Sequence, residues 1–111
     1  MVNDLDSIGL VFRALESPVR RQLLQGIAAK RQPIRDLAKP LHISLPAVTK
    51  HLKILEQAKL IRREKVQRYY YFTINVEPLD EAAAWIETHT KFWQKRLAGL
   101  EKYLKANKSA S

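Results

Sequence analysis

From Ser44 to Ile61 the chain reads SLPAVTKHLKILEQAKLI. At about 100° per residue, Leu45, Val48, Leu52 and Leu55 fall on one side of a helix, and Pro46, Lys50, Lys53 and Gln57 fall opposite. Ser44 supplies an N-cap and Pro46 is tolerated in the first turn, so this helix is expected to run to about Ala58. The same spacing predicts a helix over Ser7 to Leu15, aligning Ile8, Val11, Phe12 and Leu15. A second, capped by Ser17 and opened by Pro18, is predicted to reach about Ala29 and to bury Val19, Leu23, Leu24 and Ile27. A brief helix from Pro33 to about Lys39 follows, ended by Pro40, which disfavours helical geometry in the residue before it.

From Leu60 the period changes. Two β-rich arms, Leu60 to Arg63 and Arg68 to Ile74, surround a polar tip, as in a hairpin. Alternation sends Tyr70, Phe72 and Ile74 inward and leaves Tyr69 and Tyr71 outward. Pro78 then opens a long helix to about Ala106, and the small polar residues 107–111 are expected to form a flexible tail. The predicted fold is mainly α with a β-hairpin wing: a single winged helix-turn-helix domain over residues 1–106, with the helix-turn-helix at about 33–58, the wing at about 60–74 and a closing helix at about 78–106.

Composition sharpens this picture through charge. In 111 residues, 20 Lys and Arg against 11 Asp and Glu leave a net +9, which points to a polyanionic partner. Between Lys50 and Arg68 there are seven basic residues and two acids, so five of the nine net charges sit in one contiguous piece. A helix whose outward side begins with the small Pro46, Ala47 and Thr49 and then carries lysines enters a major groove without obstruction. An adjacent basic hairpin reaches phosphates or the minor groove. The alternative is an ordinary solvated face, with the hairpin charges only guarding an exposed edge. Tyr69, Tyr70 and Tyr71 could also form a stacking platform for single strands, but alternation splits them between two faces.

At these residues the sequence resembles the ArsR/SmtB-type bacterial repressors. The matching segments are SPVRRQLLQGI, IRDLAKPLHISLPAVTKHLKILEQAKLIRR and RYYYFTIN, and the closing FWQKRLAGLEKYL looks like the metal-independent branch of that family. The resemblance implies a cytoplasmic homodimeric repressor that occupies a pseudo-palindromic operator in double-stranded DNA. The family's DNA-reading positions fall on Ser44, Pro46, Ala47, Thr49, Lys50 and Lys53, with His51 at the margin; Arg62, Arg63, Lys65 and Arg68 become the wing contacts. Two departures stand out: Lys59 occupies the place of a usual Gly after the reading helix, and the tip EKVQR lacks one as well.

The closing helix carries an apolar stripe too broad for one small core: Trp85, Ile86, Phe92, Trp93, Leu97, Leu100, Tyr103 and Leu104. With Ile8, Val11 and Phe12 it is expected to form the dimer surface. Lysines and Arg96 along the same helix also suit an amphipathic membrane helix, and a protein-interaction module is a further alternative. No run approaches a spanning length, and the acidic N-terminus is unlike a signal peptide.

Cysteine is absent, which excludes disulfides and thiolate metal sites. Ile34, Arg35, Asp36 and Leu37 stand where the family's thiolate site would be. Glu87 and His89 imitate half of its closing-helix site, yet they point about 200° apart on one helix, and Leu100 and Tyr103 replace the other half. His89 is expected between Trp85 and Trp93. No metal and no cofactor are therefore expected, with a metal-responsive repressor kept as an alternative. Gly-rich phosphate loops, nucleophile elbows and paired inward carboxylates are missing, so no enzyme is expected.

Overall fold

A computed structural model describes the backbone of residues 4–110 and the side chains of residues 7–108. Along the chain run α1 (Asp4–Leu15), α2 (Pro18–Ala29), α3 (Ile34–Ala38), a single 3₁₀ turn (Lys39–Leu41), α4 (Leu45–Gln57), β1 (Ile61–Val66), β2 (Tyr69–Ile74) and α5 (Glu77–Ala110). Two of the helices begin as their sequences require: Ser17 Oγ accepts from the Arg20 N–H, and Ser44 Oγ accepts from the Ala47 N–H, each with Pro in the first turn. The hairpin strands pair antiparallel with Val66 opposite Tyr69, which leaves a two-residue turn at Gln67 and Arg68.

The core is made by one face of each of the first four helices closing over the base of the hairpin. Leu23, Val48, Leu52, Leu55 and Leu60 are its largest fully buried side chains, with Leu37, Ile61 and Phe72 around them. Gly26 lets α3 approach α2, since a Cβ there would lie 3.1 Å from Leu37 Cδ2. Among the described side chains of α5 only Ala82 is buried, with Leu79 packed partly against the core. After Trp85, which meets Phe12 of α1, the helix extends away from the core, and the molecule spans 74 Å along its longest axis.

Several boundaries differ from expectation. α1 begins three residues earlier than Ser7, because nothing in Asp4–Asp6 interrupts a helix. Lys39, predicted to leave helical geometry before Pro40, keeps φ −51° and ψ −51°. A 3₁₀ turn starting there places Pro40 where its missing N–H would have been unpaired anyway. β1 reaches Val66, so the tip is tighter than predicted. α5 continues to Ala110, so residues 107–110, expected as a loose tail, extend the helix; no Gly or Pro among them breaks it.

The two missing glycines leave the geometry intact. Lys59 has φ 61°, and its N–H and that of Leu60 bond back to the Glu56 and Leu55 carbonyls at 2.9 and 3.1 Å. This is the left-handed helix ending that usually selects Gly. Asn75 secures it, donating Nδ2–H to the Lys59 carbonyl at 2.9 Å. Gln67 takes the same left-handed conformation at the wing tip, with φ 59°. Each side chain held there costs roughly 1 kcal/mol relative to Gly, an expense that the hydrogen bonds around Lys59 offset at that position.

Candidate nucleic-acid interface

The Ser44 cap fixes where α4 starts, and burial of Val48, Leu52 and Leu55 fixes how it is rotated. Pro46, Lys50 and Lys53 are consequently exposed, with Ala47 and Thr49 half-buried beside them. Neither lysine has an ion-pair partner among the described residues. Leu45, expected on the core face, is 49% exposed, because it lies in the first turn, ahead of the surface that α2 and α3 cover. Val48 is the first residue of α4 to reach the interior.

The wing divides its cations between two tasks. Arg62 and Arg68 are exposed and unpaired among the described residues. Lys65 is exposed too, its ammonium 5.8 Å from the Tyr70 ring centroid. Arg63, expected as a phosphate contact, is exposed but already engaged by neighbouring side chains. Its Nη2 donates to Glu56 Oε1 at 2.8 Å, and its guanidinium lies over Tyr70 and Phe72 at 5.2 and 5.8 Å. That pair joins α4 to β1 and sets the tilt of the wing.

The tyrosines are not a shared platform. Tyr70 shares the face of buried Phe72 yet is 39% exposed, since the hairpin outruns the core toward its tip. Tyr71, predicted outward, is half-buried because Arg31 covers its ring at 4.7 Å while bonding Glu64 at 3.4 Å. Arg31 was not among the residues singled out from sequence, and a basic pair after a helix offers no signal for such a role.

A second unanticipated residue is Arg20, only 7% exposed. Its Nε donates to the Ala14 carbonyl and its Nη2 to the Arg13 carbonyl, both at 2.8 Å, closing the end of α1. Its Nη1 lies 3.1 Å from His51 Nδ1 on α4. A signal did exist: Arg20 and Arg21 stand in the first turn of α2 with no acid there, against the helix dipole, so each needs a compensating partner. Arg21 finds the Leu15 carbonyl at 2.6 Å.

Burial, and then the Arg20 charge, hold the His51 imidazole below its ordinary pKa of 6.5. The unfolded chain therefore takes up this proton first as pH falls through 6.5, and the folded protein only lower. His51 accordingly contributes a loss of stability that begins as pH drops below 6.5 and levels off under the folded pKa, with nothing above. Urea unfolding between about pH 7.5 and 5.5 is expected to show a steeper decline for the wild type than for His51→Gln. Parallel declines would refute the assignment.

The predicted dimer surface is open along α5 and only partly so on α1. Trp85, Ile86, Phe92, Trp93, Leu97, Leu100 and Leu104 are all exposed, as is Tyr103. Val11, expected there, is instead buried inside the protomer, because the edge of α1 that carries Val11 and Ala14 faces the core. Ile8 is half-buried, and Phe12 meets Trp85 edge to face at 5.9 Å.

His89 stacks on Trp85 at 4.0 Å and bonds the Trp85 carbonyl at 2.8 Å. Trp93, its other expected neighbour, packs against Phe92 instead. Glu87 pairs with Lys91 at 3.1 Å. Among the described residues no group of three or more His, Cys, Asp or Glu could hold a metal ion, and no helix is long and apolar enough to cross a membrane.

A capped helix facing outward behind a short helix and turn, with a cationic hairpin beside it, defines a winged helix-turn-helix protein. Known proteins agree. A helix-turn-helix domain family matches residues 15–64. The transcriptional repressor SdpR of Bacillus subtilis is 30% identical over 76 residues, covering 68% of this chain and 84% of that protein. The structure of an ArsR-like transcriptional regulator from Rhodococcus sp. RHA1 superposes with TM-score 0.77 at 28% identity, covering 88% of this chain and 92% of that one. A homodimeric winged helix-turn-helix DNA-binding domain, Mb0332 from Mycobacterium bovis, shares the fold at TM-score 0.61 and 19% identity, covering 84% and 83% of the two chains. The chain belongs to the ArsR/SmtB family of helix-turn-helix transcriptional regulators, which are not enzymes.

Proposed function

We propose that the protein is a cytoplasmic homodimeric repressor, of the kind that works without a metal, acting by occupying an operator in duplex DNA. The observation that carries this reading is the rotation of α4, which buries Val48, Leu52 and Leu55 and leaves Lys50 and Lys53 outward and unpaired. Two α4 helices, one per subunit, then enter successive major grooves about 34 Å apart. Lys50 and Lys53 reach guanine edges, Ala47 and Thr49 meet thymine methyls, and the α4 N-terminus with Arg62, Lys65 and Arg68 holds the backbone. The exposed α5 stripe supplies the second subunit's seat, as the homodimeric Mb0332 domain suggests by analogy of fold.

The test is footprinting on DNA upstream of the protein's own gene, where two protected half-sites one helical turn apart are expected. Two variants separate the kinds of contact. Lys50→Ala is expected to lose about 1–3 kcal/mol of discrimination between operator and unrelated duplex, whereas Arg68→Ala weakens both alike. Identical behaviour of the two variants in anisotropy titrations would overturn this division.

A further inference from the structure

We propose that Arg20 is a positioning residue of the DNA-reading surface: it fixes His51 as the Nε2–H tautomer and so presents a neutral donor to a phosphate oxygen at the groove edge. This inference rests on the operator-binding reading above and adds an atom-level role to it.

The argument begins with what an arginine can do. A guanidinium has donors only, so a ring nitrogen 3.1 Å from Arg20 Nη1 has to accept. His51 Nδ1 therefore carries no proton, and the neutral ring must carry its hydrogen on Nε2. Arg20 is in no position to swing away. Its other two nitrogens, Nη2 and Nε, donate to the Arg13 and Ala14 carbonyls, and Glu16 Oε1 lies 3.9 Å from Nη2. The imidazole is thus oriented by a buried group anchored to two other helices, the arrangement that commonly sets a histidine's tautomer.

His51 Nε2 has no hydrogen-bond partner among the described residues. On α4 the ring stands about 100° around the helix from Lys50, one turn after Ala47, at the flank of the outward face. Base edges lie in front of that face, and the strand backbone borders its flank. A phosphate oxygen is the acceptor such a position meets. A neutral donor there adds a contact that fixes register without adding charge.

The experiment has two parts. Nitrogen-15 spectra of the free protein are expected to show His51 wholly as the Nε2–H form near neutral pH, relaxing to a mixture of tautomers in Arg20→Met. An Nδ1–H form, or spectra of folded Arg20→Met unchanged at His51, would overturn the tautomer assignment. If Arg20→Met does not fold, the wild-type spectrum decides it.

The second part uses replacements that place an amide donor at different reach. Gln presents its N–H near the position of Nε2, and Asn stops short. On the footprinted operator, His51→Gln is expected to bind within about threefold of wild type, and His51→Asn about tenfold more weakly. Replacing single phosphates by methylphosphonates identifies the contact: one position per half-site costs affinity in wild type and His51→Gln but not in His51→Asn. Equal binding by Asn and Gln, or no phosphate whose replacement depends on residue 51, removes the inference while leaving the repressor reading in place. Failure to bind any duplex removes the repressor reading and the phosphate contact with it, and the tautomer result stands alone.

Discussion

Leu97→Glu is expected to turn the dimer into a monomer and to weaken operator binding by at least about 100-fold. Leu97 is 59% exposed in the protomer, beside Trp93 at 60% and Leu100 at 53%, so the folded chain has no internal use for it. Across a two-fold axis every substitution appears twice, and two carboxylates would be carried into an apolar seam. Each lost Leu burial is worth about 1.5–3 kcal/mol before the charge is counted. A monomer contacts one half-site, and the advantage of holding both through a single link is lost. Sedimentation equilibrium reads the assembly, and anisotropy on the operator reads the consequence. Ala98→Glu, exposed on the side of the same helix away from the apolar stripe, is the control and is expected to change neither. A dimer that survives Leu97→Glu would place the second subunit elsewhere.

The other large effect is ionic. Lys50, Lys53, Arg62, Lys65 and Arg68 are exposed cations without ion-pair partners among the described residues. If at least three of them per subunit reach phosphates, raising salt from about 50 to 200 mM lowers operator affinity by roughly 10³–10⁵. The logarithm of affinity is expected to fall linearly with that of salt, and Arg68→Ala to make the slope shallower by nearly two, one contact per subunit. Arg63→Ala is expected to leave the slope unchanged, because Glu56 already holds that guanidinium. A flat salt response would reject DNA as the partner. A shallower slope with Arg63→Ala would show that the ion pair opens on binding.

These cases show which features could be read from residue order. Periodicity placed the helices and the hairpin because one side of each is forced into the core, and the Ser17 and Ser44 caps marked two starts to the residue. It failed wherever a contact joined distant segments. Tyr71 is drawn in by Arg31, forty positions earlier, and the guanidinium of exposed Arg63 is engaged by Glu56. Val11 satisfies any apolar criterion, so only the packing of α1 against the core tells that it faces inward. Lys59 and Gln67 illustrate the reverse: Gly is favoured at left-handed positions but not obligatory, so its absence did not change the chain path.

One consequence of α5 concerns leverage. Its 34 residues make a rod of about 51 Å, anchored to the body near its start by Leu79, Ala82 and the Phe12–Trp85 contact. A tilt of roughly 5° about that pivot carries the far end through about 4 Å, more than half the pitch of an α-helix. Whatever grips the distal third of this rod therefore has mechanical advantage over the docking angle of the body, and through it over the separation of the two reading heads.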